Sequence, residues 1–179
     1  MTATAELAMT EAAMDDKEYE VINGIKEVKM AGARHGGVTA RLIGELWIYL
    51  KQNRIGTIYT PDTTYLIGGN DRLPDVSFIA AERLPEDGEP LSKWEIPPDL
   101  AVEVISPNDL YRNIQAKLRD YFTAGVREVW LVEPEFKIVS IYQSPTRNVI
   151  LTEEEELTSA VLPGFRCDLR EIFSSPIKP

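Results

Sequence analysis

Two short apolar runs each carry one carboxylate within them: Leu73-Pro74-Asp75-Val76-Ser77-Phe78-Ile79-Ala80 and Asp99-Leu100-Ala101-Val102-Glu103-Val104-Ile105-Ser106-Pro107. Both runs read as largely buried strands, where a lone ionised side chain is costly unless a partner or a metal compensates it. Two carboxylates on neighbouring strands make a site for a hard divalent cation, which prefers oxygen ligands. These residue types in this pattern point to metal-assisted phosphodiester chemistry. Plainer readings stand beside it. Asp75 also suits a turn at a strand start, and Glu103 would be ordinary on an edge strand with one wet face.

Other candidate residues carry less signal. Lys117 sits beside the apolar stripe Ile114, Leu118 and Tyr121 of a predicted helix, so it either runs into solvent or reaches the strand ends. Gln115 offers a similar polar contact with weaker support. His35, the only histidine, precedes an amphipathic helix and fits a helix-start contact, a phosphate ligand or a base. Glu20 and Glu45 are further acidic candidates, Glu45 being expected to face solvent. Basic residues from Lys17 and Arg34 to Arg127 are scattered, which suits a solvated face as well as a groove. One histidine cannot build a multi-histidine zinc site, and the single cysteine, Cys167, excludes an internal disulfide and a cysteine-rich zinc site. The chain has no GxGxxG after a strand, no P-loop and no GxSxG elbow.

With 179 residues, 44% apolar and 27% charged, the chain has the composition of a soluble domain with a real core. No apolar run approaches the roughly 20 residues that span a bilayer. Met1 to Met14 lacks a basic residue and an apolar centre, so no signal peptide is expected, and the expected location is cytoplasmic without a membrane partner. The net charge of −10 argues against a surface that grips nucleic acid everywhere but leaves room for a local basic groove.

The elements that must position these residues follow from periodicity and turn chemistry. Residues 1 to 16 are expected to be a disordered tail, and 17 to 175 a single domain. Tyr19 to Ile22 and Ile25 to Val28 flank Asn23-Gly24, a strong hairpin signal. A helix is predicted from Arg34 to Gln52, with Val38, Leu42, Leu46 and Tyr49 at helical spacing. Three strands follow: Gly56 to Tyr59 with a continuation near Tyr65 to Ile67, Asp75 to Ala80, and Leu100 to Ser106. Arg83 to Pro98 reads as a loop. A second helix runs from Tyr111 to Ala124, capped by Asn108 or Asp109 and stopped by Gly125. Strands at Glu128 to Val132 and Lys137 to Tyr142 come next, and Leu162 to Phe173 closes the core with a helical turn. A helix crossing between two strands implies a parallel pair there. The expectation is an α/β arrangement, of mixed α+β character, with helices against a mixed sheet.

In this order and spacing the segments resemble the Uma family (the "Uma-two" group) of putative restriction endonucleases. The likeness runs from Tyr19 to Phe173. It rests on Tyr19-Glu20-Val21-Ile22-Asn23-Gly24, Arg34-His35, Leu73 to Phe78, Pro98 to Pro107, Lys117 to Val132 with Ala124-Gly125-Val126, and Leu162-Pro163-Gly164-Phe165. The resemblance implies the restriction-endonuclease-like fold of the PD-(D/E)XK superfamily, an αβββαβ core, here with an N-terminal β-hairpin. It implies that Asp75 and Glu103 are the motif carboxylates that hold Mg²⁺, with Mn²⁺ as a substitute, joined by the carbonyl of Val104. A lysine near the glutamate orients or activates the attacking water in that superfamily. Its usual place, two residues on, is Ile105 here, so Lys117 of the following helix is the candidate replacement. His35 or Glu20 would contact the phosphate or assist the metal. The implied activity is Mg²⁺-dependent hydrolysis of DNA by an endonuclease, with a homodimer supplying two sites for two strands. A catalytically silent nuclease-fold module for binding or assembly, favoured by the acidic charge and the missing ExK lysine, is the alternative. A metal-dependent hydrolase of nucleotides or RNA is a third reading.

Overall fold

A computed structural model of the chain describes residues 19–28, 32–107 and 109–174. The tail expected over residues 1 to 16 lies outside them, as do Lys17 and the candidate cap Asn108. In chain order, strands β1 (Tyr19–Ile22) and β2 (Ile25–Val28) lead into helix α1 (Ala33–Gln52). Strands β3 (Gly56–Tyr59), β4 (Tyr65–Ile67), β5 (Asn70–Arg72), β6 (Val76–Ala80) and β7 (Leu100–Val104) follow, and helix α2 (Tyr111–Ala124) crosses to β8 (Glu128–Glu133). Then come β9 (Ile138–Ser144), β10 (Arg147–Thr152), β11 (Glu156–Thr158), β12 (Arg166–Asp168) and the short helix α3 (Leu169–Phe173).

Side chains alternate across the strands and so sort the core into two layers. The six-stranded sheet has the order β10-β9-β8-β7-β6-β3. Its β7–β8 pair is parallel, as a helical crossover requires, and its other pairs are antiparallel. Val76, Phe78, Leu100, Val102, Val104, Trp130 and Val132 face the stripe Val38, Leu42, Leu46 and Leu50 of α1. Each fully buried leucine of that stripe contributes about 1.5–3 kcal/mol. On the opposite face Ile79, Ala101, Val129 and Leu131 pack with Leu118 and Tyr121 of α2 and with Tyr65, Ile67 and Trp94. Glu103 alternates with Val102 and Val104 and therefore points to the α2 face. Because β7 is flanked by β6 and β8, the edge-strand reading of Glu103 does not apply.

Local chemistry accounts for the boundaries. Asn23 (φ 50°) and Gly24 (φ 78°) both take the positive φ that a two-residue hairpin turn demands. Gly125 (φ 100°) stops α2 in the left-handed conformation, its amide bonding to Phe122 and Tyr121 carbonyls. The start of α2 differs from expectation. Its N-cap is Leu110, with no side-chain cap, because the Asp109 carboxylate instead accepts the Ser106 amide at 2.7 Å.

β4 does not continue β3. It turns back at Gly68-Gly69 to pair with β5, and the two join the N-terminal hairpin in a second sheet of order β2-β1-β5-β4. The unexpected β5 is only Asn70-Asp71-Arg72, which offers no apolar alternation to read. β10, β11 and β12 also lie outside the predicted strands. β10 is almost wholly exposed, and the other two are three residues each. Among the described residues no helix is long and apolar enough to cross a membrane.

Candidate active site

The α2 face of the sheet carries the acidic residues, and five elements bring polar groups to it. Asp75 stands immediately before β6, its amide donating to the Val102 carbonyl at 2.9 Å. Its Oδ2 accepts the Val104 amide at 2.7 Å and lies 3.1 Å from Nε2 of His35, in the first turn of α1. Glu103 is on β7. Its Oε1 accepts the Tyr121 hydroxyl at 2.5 Å, and its Oε2 accepts Lys117 Nζ at 2.9 Å. Lys117 Nζ also lies 3.2 Å from Glu20 Oε1 on β1. Glu20 in turn accepts the Leu73 amide at 3.1 Å and Arg72 Nη1 at 3.2 Å. Arg72 completes the chain of contacts by donating to Asp120, one helical turn beyond Lys117.

These groups are withdrawn from water. Glu20, Arg72, Asp75 and Glu103 are 2–5% exposed. Lys117 and His35 are partly covered and line a cavity of about 580 Å³ together with Glu20, Arg72, Asp75 and Glu103. Val104 lines the same cavity.

Electrostatics fix the protonation of two members. Burial works against the Lys117 charge, but Glu103 and Glu20 outweigh it and hold the ammonium well above its ordinary pKa. Lys117 is therefore a firm cation at neutral pH, able to donate hydrogen bonds and orient a water but not to take up a proton. Burial, reinforced by Glu103, pushes the Tyr121 hydroxyl far up, so it stays a donor. The four carboxylates Glu20, Asp75, Glu103 and Asp120 face the two cations Lys117 and Arg72, an excess of two negative charges before any charge on His35.

The structure thus brings Asp75, Glu103, Lys117, His35, Glu20 and Val104 to one place. Glu45 stays away: it is half-buried rather than solvent-facing, and its charge acts on Cys167 instead. Gln115 contributes its carbonyl to Arg119 and does not line the cavity. Arg72, Asp120 and the Tyr121 hydroxyl belong to the network but are not singled out by sequence reasoning. Tyr121 is hidden because it counts as an apolar member of the α2 stripe, and Arg72 because β5 has no strand signature. Asp120 carries one legible sign, its spacing of one turn from Lys117.

Two further buried carboxylates lie elsewhere. Asp99 accepts the Ala80 amide at 2.9 Å and pairs with Arg83 at 3.0 Å and Arg127 at 3.4 Å. Glu128 accepts Trp130 Nε1, the Ser159 hydroxyl and the Ala160 amide at 2.7–2.9 Å. Both fasten strand ends to neighbouring loops.

The donor set suits a hard divalent cation. Among the described residues no three histidine, cysteine, aspartate or glutamate side chains converge as a metal cage. Mg²⁺ is commonly held by only one or two carboxylates with several retained waters, which Asp75 and Glu103 could supply, whereas zinc wants four tight ligands rich in nitrogen and sulfur.

A mixed sheet flanked by α1 and α2 is consistent with a restriction-endonuclease-like core. The chain belongs to the Uma2 family, described as putative restriction endonuclease, whose match covers residues 6–170. Among solved structures it is similar to a putative nuclease belonging to DUF820 from Anabaena variabilis. That likeness has a TM-score of 0.79 and 19% identity and covers 89% of this chain and 91% of the other. It shows a shared fold. No curated protein matches the chain.

Proposed function

We propose that this protein is a Mg²⁺-dependent endonuclease that hydrolyses DNA phosphodiester bonds, with Mn²⁺ as a substitute. The observation that carries the reading is the Lys117 ammonium, delivered from α2 to within 2.9 Å of Glu103, which supplies the cation that Ile105 cannot. Asp75 and Glu103, with the Val104 carbonyl, would hold the metal. When bound, a divalent cation supplies Lewis-acid stabilisation of phosphoryl charge and a more acidic water. Lys117 orients the attacking water by hydrogen bonding and holds the Glu103 carboxylate in place. His35 fixes Asp75 and stands at the N-terminus of α1, the positive end of the helix dipole, where a phosphate is welcome. Glu20, 3.2 Å from Lys117 Nζ, helps to position it. A homodimer would bring two such sites together.

One observation favours the silent nuclease-fold module instead. Among the described residues no buried side-chain nitrogen or oxygen lacks a hydrogen-bond partner, so the network is self-sufficient without metal. Titration calorimetry with MgCl₂ and MnCl₂ separates the two. The endonuclease reading expects saturable binding that Asp75→Ala and Glu103→Ala both abolish. Absence of binding to the wild type would leave the silent module.

A further inference from the structure

A second cavity, of about 490 Å³, adjoins the first and shares His35, Ser106 and Asp109 with it. Its size falls within the roughly 300–1,000 Å³ typical of small-ligand sites. Two aromatic rings stand on its rim. Tyr111, the first residue of α2, is 76% exposed, and Phe136, in the turn between β8 and β9, is 69% exposed. Neither ring packs against another ring among the described residues, in contrast to the edge and stacked pairs Tyr49–Phe165, Tyr59–Trp94 and Trp130–Phe165. Two exposed aromatic rings beside one cavity form a surface on which a flat ligand can stack.

The charges around them say what kind of ligand fits. Glu133, Glu135 and Asp109 line the groove against a single cation, Arg34. These carboxylates can accept hydrogen bonds from the exocyclic amino groups of bases. Burial pushes the Glu133 carboxyl above its ordinary range. On the nuclease reading the phosphate lies in the neighbouring cavity, and His35, Ser106 and Asp109 are shared between the two. The spacing agrees. Tyr111 precedes Lys117 by six positions on α2, about 9 Å along the helix, which corresponds to roughly two to three stacked nucleotides.

We infer that this groove takes unpaired nucleobases of the strand held in the adjoining cavity, stacked on Tyr111 and Phe136, so that the substrate class is single-stranded or locally unpaired nucleic acid. A paired base cannot offer its face to a protein ring without leaving the helix, whereas aromatic platforms take any unpaired base. The inference rests on the nuclease reading for where the phosphate lies, but not for the stacking itself.

The test is binding of a short single-stranded oligodeoxynucleotide carrying 2-aminopurine, with Ca²⁺ replacing Mg²⁺ so that the strand stays intact. The wild type is expected to quench the 2-aminopurine fluorescence. Tyr111→Ala and Phe136→Ala are each expected to weaken binding by roughly tenfold, while a blunt duplex of the same sequence is little affected. Both side chains are exposed, so the variants should fold, which circular dichroism checks. Wild-type binding without quenching, or variants that bind the strand as tightly as the wild type, would overturn the inference. Variants that leave strand binding intact but turn a dimer into a monomer in sedimentation would assign the rings to a protein interface and overturn it as well. Ring-dependent quenching by a protein that cleaves no nucleic acid would leave the inference standing while the nuclease reading falls.

Discussion

Replacing Lys117 by methionine keeps most of the side-chain volume and removes only the charge. Its ammonium lies between Glu103 at 2.9 Å and Glu20 at 3.2 Å, with both carboxylates almost wholly buried. Removing one partner of a fully buried ion pair costs about 3–5 kcal/mol, because the remaining charge is left uncompensated. Two features reduce that figure here: Lys117 is 20% exposed, and Arg72 still pairs with Glu20. A loss of about 2–3 kcal/mol is therefore expected, which for a chain of this size lowers Tm by roughly 5–10 °C. The pH dependence has a definite sign. A lysine whose pKa is raised on folding contributes stability that is complete below its unfolded value and fades only as pH rises through the folded one. The deficit of Lys117→Met should accordingly be flat from about pH 7 to 10 and shrink only at more alkaline pH. Urea unfolding in EDTA, at several pH values, measures it. A variant within about 0.5 kcal/mol of the wild type, the range of ordinary surface substitutions, would refute a buried network and return Lys117 to solvent.

Further predictions concern Tyr121 beside Lys117 and Cys167 in the core on the other face of the sheet. Tyr121→Phe removes the 2.5 Å hydrogen bond to Glu103 Oε1 at constant shape, and is expected to cost about 1–3 kcal/mol in urea unfolding. Burial pushes the Cys167 thiol up to about 12, so it should resist alkylation at pH 8 until the protein is unfolded. The unfolded thiol ionises first, so stability should begin to fall above about pH 9, and Cys167→Ala should flatten that early part of the alkaline slope.

Much of this arrangement is legible in the chain itself, for physical reasons. A carboxylate in mid-strand is conspicuous because apolar neighbours on both sides announce burial, as at Glu103. The long amphipathic stripes of α1 and α2 and the Asn23-Gly24 turn are equally plain, since period and turn chemistry are local properties. What escapes is set by distance. Asp99 and Glu128 are as buried as Asp75 and sit in similar strand contexts, yet they bind arginines, amides and a tryptophan at strand ends. Only the neighbours tell the two kinds apart. Arg72 arrives on a three-residue strand with no apolar alternation, and the Tyr121 hydroxyl is concealed by the apolar ring that places it in the core.

The most direct measurement is cleavage of supercoiled plasmid and single-stranded DNA in MgCl₂ or MnCl₂ by the wild type and by Asp75→Ala, Glu103→Ala and Lys117→Ala. The wild type is expected to cleave only with the metal present, and all three folded variants are expected to have lost that cleavage. Cleavage that survives Asp75→Ala or Glu103→Ala, or a pure wild-type protein that cuts neither substrate, would contradict that expectation.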